Sequence, residues 1–163
     1  MSTSKTIILP VTEQMDGDGN VTLFDERHHA LAVVERKAAN LYEVRLTPMF
    51  KDGEVTLAYS LLQALDMARE RVENAGLEAR KLRTEHIEDR EHWEKHYYDD
   101  TTGELLATVR REGVIDDRLT FSVRYTDPPH FLETYDPLQK IHYQIVHQLE
   151  KNLGVRYVNR HFR

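Results

Sequence analysis

Apolar residues recur along this chain at two different spacings. Between Leu61 and Ala75 they fall three and four residues apart, at Leu61, Ala64, Leu65, Ala68, Val72 and Ala75, while Asp66, Arg69, Glu70 and Glu73 lie off the centre of that face. This spacing predicts an amphipathic helix docked on something apolar. A second stripe, Leu138, Ile141, Ile145, Leu149 and Leu153, predicts another. The two are punctuated alike. Ser60-Leu61-Leu62-Gln63 and Asp136-Pro137-Leu138-Gln139 open them, and Asn74-Ala75-Gly76-Leu77 and Asn152-Leu153-Gly154-Val155 close them. In each opening a side-chain oxygen can accept from N–H groups of the first turn while the Gln three residues on reaches back. In each closing a glycine supplies the left-handed exit.

Elsewhere the period is two. Leu119, Phe121, Val123 and Tyr125 alternate with Arg118, Thr120, Ser122, Arg124 and Thr126, the clearest strand in the chain. Thr6–Gln14 and Val21–Glu26 read as strands joined by Asp16-Gly17-Asp18-Gly19-Asn20, whose residues tolerate positive φ. Ala30–Val34, Leu41–Phe50 and the alternation through Val55, Leu57 and Tyr59 continue the meander. After the first helix, Leu77–Arg83 reads as a strand, Glu85 onward as a loop, and His92–Tyr98 as a strand in which Trp93 and Tyr97 share a face. Leu105–Arg111 and Arg118–Thr126 pair around Gly113, Pro128-Pro129 stops the second of them, and a connection leads to the second helix. Val155–Phe162 closes the chain as a short strand.

The order of elements predicts an α+β fold. We expect a two-layer sandwich in which a mostly antiparallel sheet of about seven to nine short strands carries two amphipathic helices on one face, with residues 1–163 forming a single domain. The recurrence of strands, helix and glycine exit also suggests a pseudo-duplicated unit. Hydrophobic residues make up 40% and charged residues 31% of the chain, a balance that suits a sheet with one face in water.

Charge removes some function classes. The net charge is −6, with 8 basic and 12 acidic residues up to Gly76 and 14 and 16 after it, so neither half is a basic nucleic-acid domain. No cysteine is present, which excludes disulfides, thiolate nucleophiles and cysteine zinc sites. The apolar run near the start, Ile7-Ile8-Leu9-Pro10-Val11, is strand-length and interrupted by proline, so we expect a cytoplasmic protein with no membrane partner. The seven glycines are all assigned to turns or helix stops, leaving no phosphate loop, and the four serines include no nucleophile elbow.

Three constellations carry candidate chemistry. On a strand, His92, Glu94 and His96 project from one face at two-residue intervals, two imidazoles and a carboxylate suited to zinc or another divalent ion. That set would support a metal-dependent hydrolase; its alternative is a solvated strand face. Arg110, Arg118 and Arg124, interleaved with Thr108, Thr120 and Ser122, form an arginine and hydroxyl face able to take a small anionic ligand, or else to pair with acids such as Glu94. His142 lies inside the apolar stripe of the second helix and is expected to be a packed ring, whereas His147 faces away. Asp16, Asp18 and Asn20 match the first alternate ligands of a calcium loop, but Val21 and Arg27 stand where that loop needs a glycine and a bidentate acid.

We therefore expect a small binding or interaction protein rather than an enzyme, with no cofactor implied. The expected partners are a second copy of the chain in a homodimer, another protein, or a small anionic ligand. Nucleic acid is disfavoured because aromatic stacking platforms are missing from the arginine face.

Overall fold

The computed structural model describes residues 5–162, and over them the chain is a mixed α+β fold of thirteen strands in three sheets with two α-helices. It divides into two compact units: residues 1–79 with 153–156, and residues 80–152 with 157–163.

The first unit begins with β1 (Lys5–Thr6) and β2 (Thr12–Met15). The single strand expected over Thr6–Gln14 is broken around Pro10, which cannot donate to a ladder. β3 (Val21–Phe24), β4 (Ala30–Ala38), β5 (Leu41–Leu46) and β6 (Val55–Ala58) follow, and β2 to β6 form an antiparallel meander in chain order. The Asp16 turn forms as expected. Its carboxylate accepts from Asp18 N at 2.9 Å, from Asn20 N at 3.0 Å and from Asn20 Nδ2 at 3.1 Å, so the oxygens that a calcium reading would use close the hairpin.

Helix α1 (Leu61–Ala75) packs on β4, β5 and β6 and buries Ala64, Ala68 and Val72 completely. The small residues let the helix approach closely, and burying Val72 alone stabilises by about 1.5–3 kcal/mol. Ser60 caps it by accepting from Gln63 N at 3.1 Å. Gln63 reaches back one residue further than expected, to Tyr59 N at 2.9 Å. Gly76 ends the helix with its N–H on Val72 O. The expected strand Leu77–Arg83 is divided: β7 (Leu77–Arg80) belongs to a three-stranded sheet ordered β1-β7-β13, where β13 is Val155–Tyr157.

The second unit holds β8 (Leu82–Glu88), β9 (Trp93–Asp99), β10 (Leu105–Ile115), β11 (Arg118–Tyr125) and β12 (His130–Thr134), again an antiparallel meander in chain order. Three expectations are corrected here. The segment after Glu85 continues as strand, because Glu85 pairs with His96 and Ile87 with Glu94. The connection after Pro128-Pro129 contains β12, paired through Val123–Leu132 and its neighbours. Gly113 is not in a turn but inside β10, where the register slips by one residue between Arg111 and Gly113. The single sheet of seven to nine strands is accordingly replaced by three sheets, because these extra strands and the two breaks were invisible to alternation alone.

Helix α2 (Leu138–Leu153) buries Ile141, Ile145, Val146 and Leu149, and with them His142 and Glu150. Ile141 and Ile145 share the walls of a cavity with Val123 and Tyr125 of β11 and Leu132 of β12. Glu150 accepts from Tyr157 N at 2.9 Å, and Asp99 accepts from the Tyr157 hydroxyl at 3.1 Å and from Arg80 at 3.0 Å. Among the described residues, no helix is long and apolar enough to cross a membrane.

Candidate functional site

Strand β9 carries chemistry on both of its faces. Alternation puts Glu94, His96 and Tyr98 on one side and Trp93, Lys95, Tyr97 and Asp99 on the other. The first side contains the expected metal set, and the structure brings its members together. His92 Nε2 lies 3.0 Å from Glu94 Oε1, and His96 Nε2 lies 2.9 Å from Oε2. Arg110, opposite Glu94 in register, completes the group: its Nε donates to Oε1 at 2.7 Å. The carboxylate thus sits among three nitrogen groups. The hydrogen bond from His96, followed by those from Arg110 and the charge of His92, holds its carboxyl below the usual range against the opposing effect of burial. His96 Nδ1 is in turn 3.3 Å from the Tyr98 hydroxyl. Among the described residues, no group of three or more His, Asp or Glu side chains is arranged to hold a metal ion. The geometry is that of a charged ladder centred on Glu94.

The arginine face is distributed along the same side. Arg110 stands opposite Ser122, and Thr108 opposite Arg124, so the predicted interleaving of guanidinium and hydroxyl groups is present in register. Arg110 is committed to Glu94. Arg124 lies over the Phe131 ring at 5.5 Å. Arg118 is placed at the β10–β11 hairpin opposite Ile115, several residues from the other two. Ser122 donates to Glu112 at 2.6 Å and Thr120 to Gly113 O at 3.0 Å, so both hydroxyls have partners.

The other side of β9 holds a group that alternation identifies and residue type conceals. Lys95 lies between Trp93 and Tyr97 in sequence and shares their face, opposite Val109 of β10 and His86 of β8. It is only 2% exposed, and its Nζ has no hydrogen-bond partner among the described residues. The rings of Tyr97 and Phe162 lie 5.0 and 4.9 Å from it. Burial lowers its pKa from 10.5 to about 8. An ammonium held this way lacks the partner that would repay its desolvation.

Beside Lys95 is a cavity of about 330 Å³, walled by Leu82, Arg83, Thr84, Lys95, Asp100, His142, Asn159 and His161. The chain segment after β13 forms one wall and is firmly attached at its start: Asn159 exchanges two hydrogen bonds of 2.7 Å with the backbone of Leu82. His142, buried as expected, makes two contacts. Its Nε2 is 2.8 Å from Arg160 O and its Nδ1 is 2.9 Å from the Tyr97 hydroxyl. A carbonyl only accepts, so Nε2 carries the proton and Nδ1 accepts from Tyr97, which is the neutral ring. Burial, aided by the Lys95 charge, lowers the His142 pKa in agreement, although the Arg160 carbonyl opposes it. Tyr97 is pushed up by burial and keeps its proton. Arg83 lies over the Tyr98 ring on the opposite face of the sheet, pairs with Glu85, and has its Nε 3.8 Å from Asp100, the one acid in the wall.

The residues of this cavity come from β8, β9 and the turn after it, α2 and the segment after β13. Parity between Trp93 and Tyr97 is the one signal in the sequence that points to Lys95; nothing local points to Asn159, His161 or Phe162. No protein-family model matches this chain, and neither a curated protein nor a solved structure matches it.

Proposed function

We propose that this protein binds a small anionic ligand in the cavity beside Lys95, and that the arginines of the opposite sheet face do not form that site. The observation that carries the reading is the buried Lys95 ammonium without a hydrogen-bond partner, in the wall of a polar cavity. An anion there supplies the missing counter-charge, and the cavity's volume lies within the range of small-molecule sites. Thr84, which shares the Lys95 face, and His161 add donors, and Asp100 favours a ligand that also carries a hydroxyl or amino group. In a chain of net charge −6, such a cationic recess discriminates by sign. Thermal unfolding in the presence of millimolar inorganic phosphate or lactate tests this. Either anion should raise the transition temperature of the native chain at constant ionic strength and leave that of Lys95→Met unchanged. Equal shifts in both, or none in either, would reject the assignment.

A second reading, self-association, rests on a separate observation. β6 is an edge strand, and Val55, Leu57, Tyr59 and Leu62 on and after it are 46%, 48%, 64% and 70% exposed. An apolar edge of this kind pairs readily with a second copy of itself in a homodimer. Light scattering at micromolar concentration should give twice the chain mass, and Leu57→Lys should return the monomer. A monomeric mass for the native chain removes this reading. We also take the two five-stranded meanders, each followed by one helix and a glycine exit, as a duplicated unit; their matching order supports it.

A further inference from the structure

We propose that Lys95 forms a reversible imine with small aldehydes or ketones that bear a carboxylate or phosphate. This deepens the anion-binding reading and rests on it. The amine is buried among aromatic rings, without a hydrogen-bond partner, in the wall of a polar cavity that Thr84 and His161 also line. A lysine in that setting releases its proton more readily than a surface lysine, and only the neutral amine is nucleophilic. Its pKa of about 8 leaves a usable neutral fraction near neutrality. Thr84, paired with Tyr97 and so on the Lys95 face, and His161 line the cavity beside the amine and would hold the ligand's anionic group.

The chemistry balances without an oxidant or reductant. The Nζ lone pair adds to the carbonyl carbon as the carbonyl π pair moves to oxygen, and that oxygen takes a proton to give the carbinolamine. The hydroxyl then leaves with a second proton as water while the C=N bond forms. Overall, an ammonium and a carbonyl give a protonated imine and one water. Both protons lost with the oxygen come from the lysine ammonium.

The six other lysines, at 5, 37, 51, 81, 140 and 151, are all exposed and act as internal controls. The experiment treats the full chain with pyruvate and borohydride, then maps the carboxyethyl adducts by peptide mass spectrometry. Lys95 should be modified at least tenfold faster than any other lysine, and Lys95→Gln should lose only that adduct. Lactate, which has the anion but no reactive carbonyl, should slow the labelling in competition. If lactate stabilises the native chain but pyruvate labels only the exposed lysines, the imine is refuted and anion binding stands. If lactate neither stabilises nor competes, both fail. Circular dichroism of Lys95→Gln, and of Lys95→Met as a second variant, establishes that the lost adduct does not reflect an unfolded chain.

Discussion

Replacing Lys95 by methionine keeps an unbranched side chain of similar length and removes the ammonium, so it isolates the energetic consequence of burying that charge. Burial takes the pKa from 10.5 to about 8, and at about 1.4 kcal/mol per unit this is roughly 3 kcal/mol against the charged form. The Tyr97 and Phe162 rings return about 0.5–1 kcal/mol each through their faces. Below pH 8 the ammonium is charged in both folded and unfolded chains, so the penalty is fully present. Lys95→Met should therefore be more stable than the native chain at neutral pH by roughly 1–2 kcal/mol.

The sign reverses its trend at higher pH. Between about 8 and 10.5 the folded chain releases the Lys95 proton while the unfolded chain keeps it, so native stability rises with pH. The buried tyrosines bound this window from above. Tyr125 is pushed up to about 12 by burial, and Tyr97 and Tyr157 are raised as well, so above the ordinary tyrosine pKa of 10.0 the unfolded chain loses protons that the folded one retains. The advantage of Lys95→Met should thus be largest near pH 7 and shrink steadily toward pH 10. Urea unfolding followed by the fluorescence of Trp93, the only tryptophan and a member of β9, reads the same unit directly. A variant less stable than the native chain at pH 7, or an advantage independent of pH, would refute the reasoning.

Three further outcomes are expected. Gly154 has φ +68°, and a Cβ there would stand 2.1 Å from Met49 O; Gly154→Ala should cost at least about 2 kcal/mol in urea unfolding, and a loss under about 0.5 would show that the backbone there yields easily. Glu94 has a lowered pKa in the fold, so its contribution is present above its unfolded value of 4.5 and is lost as pH falls through the lower folded value. Glu94→Gln should accordingly flatten the acid side of the stability profile below about pH 4.5, and an unchanged acid limb would mean that the His92, His96 and Arg110 contacts contribute nothing. Phe162→Ala removes a ring that lies 4.9 Å from Lys95 Nζ and is itself 37% exposed; it should make Lys95 label severalfold faster with an amine-selective reagent, and an unchanged rate would show that the ring does not shield the amine.

What was legible in this sequence is what depends on near neighbours along the chain. The α1 stripe, the Ser60 cap and the Asp16 turn need partners no more than a few residues away, and all three formed. β11 was legible because its buried apolar residues Phe121, Val123 and Tyr125 repeat at two, although Leu119, on the same parity, ends half exposed near the hairpin and Thr120 and Ser122, on the other, are buried as well. β8 was not legible beyond Arg83, since Glu85–Glu88 carries little apolar pattern and is strand because β9 pairs with it. The contact of Asn159 with Leu82, separated by 77 positions, had no local signature at all.

Lys95 shows how the same rule can be applied correctly and stopped too soon. Two-residue spacing brought His92, Glu94 and His96 forward because their residue types suggest chemistry, and those side chains do converge. The same spacing places the residue between Glu94 and His96 on the opposite face with Trp93 and Tyr97. A lysine there is usually read as an exposed charge, because burial of an ammonium is unfavourable on its own. Parity and residue type therefore gave opposite answers at one position. In a well-packed strand parity is a steric constraint and residue type only an average preference, so the conflict itself marks Lys95 as the place where local stability yields to another requirement.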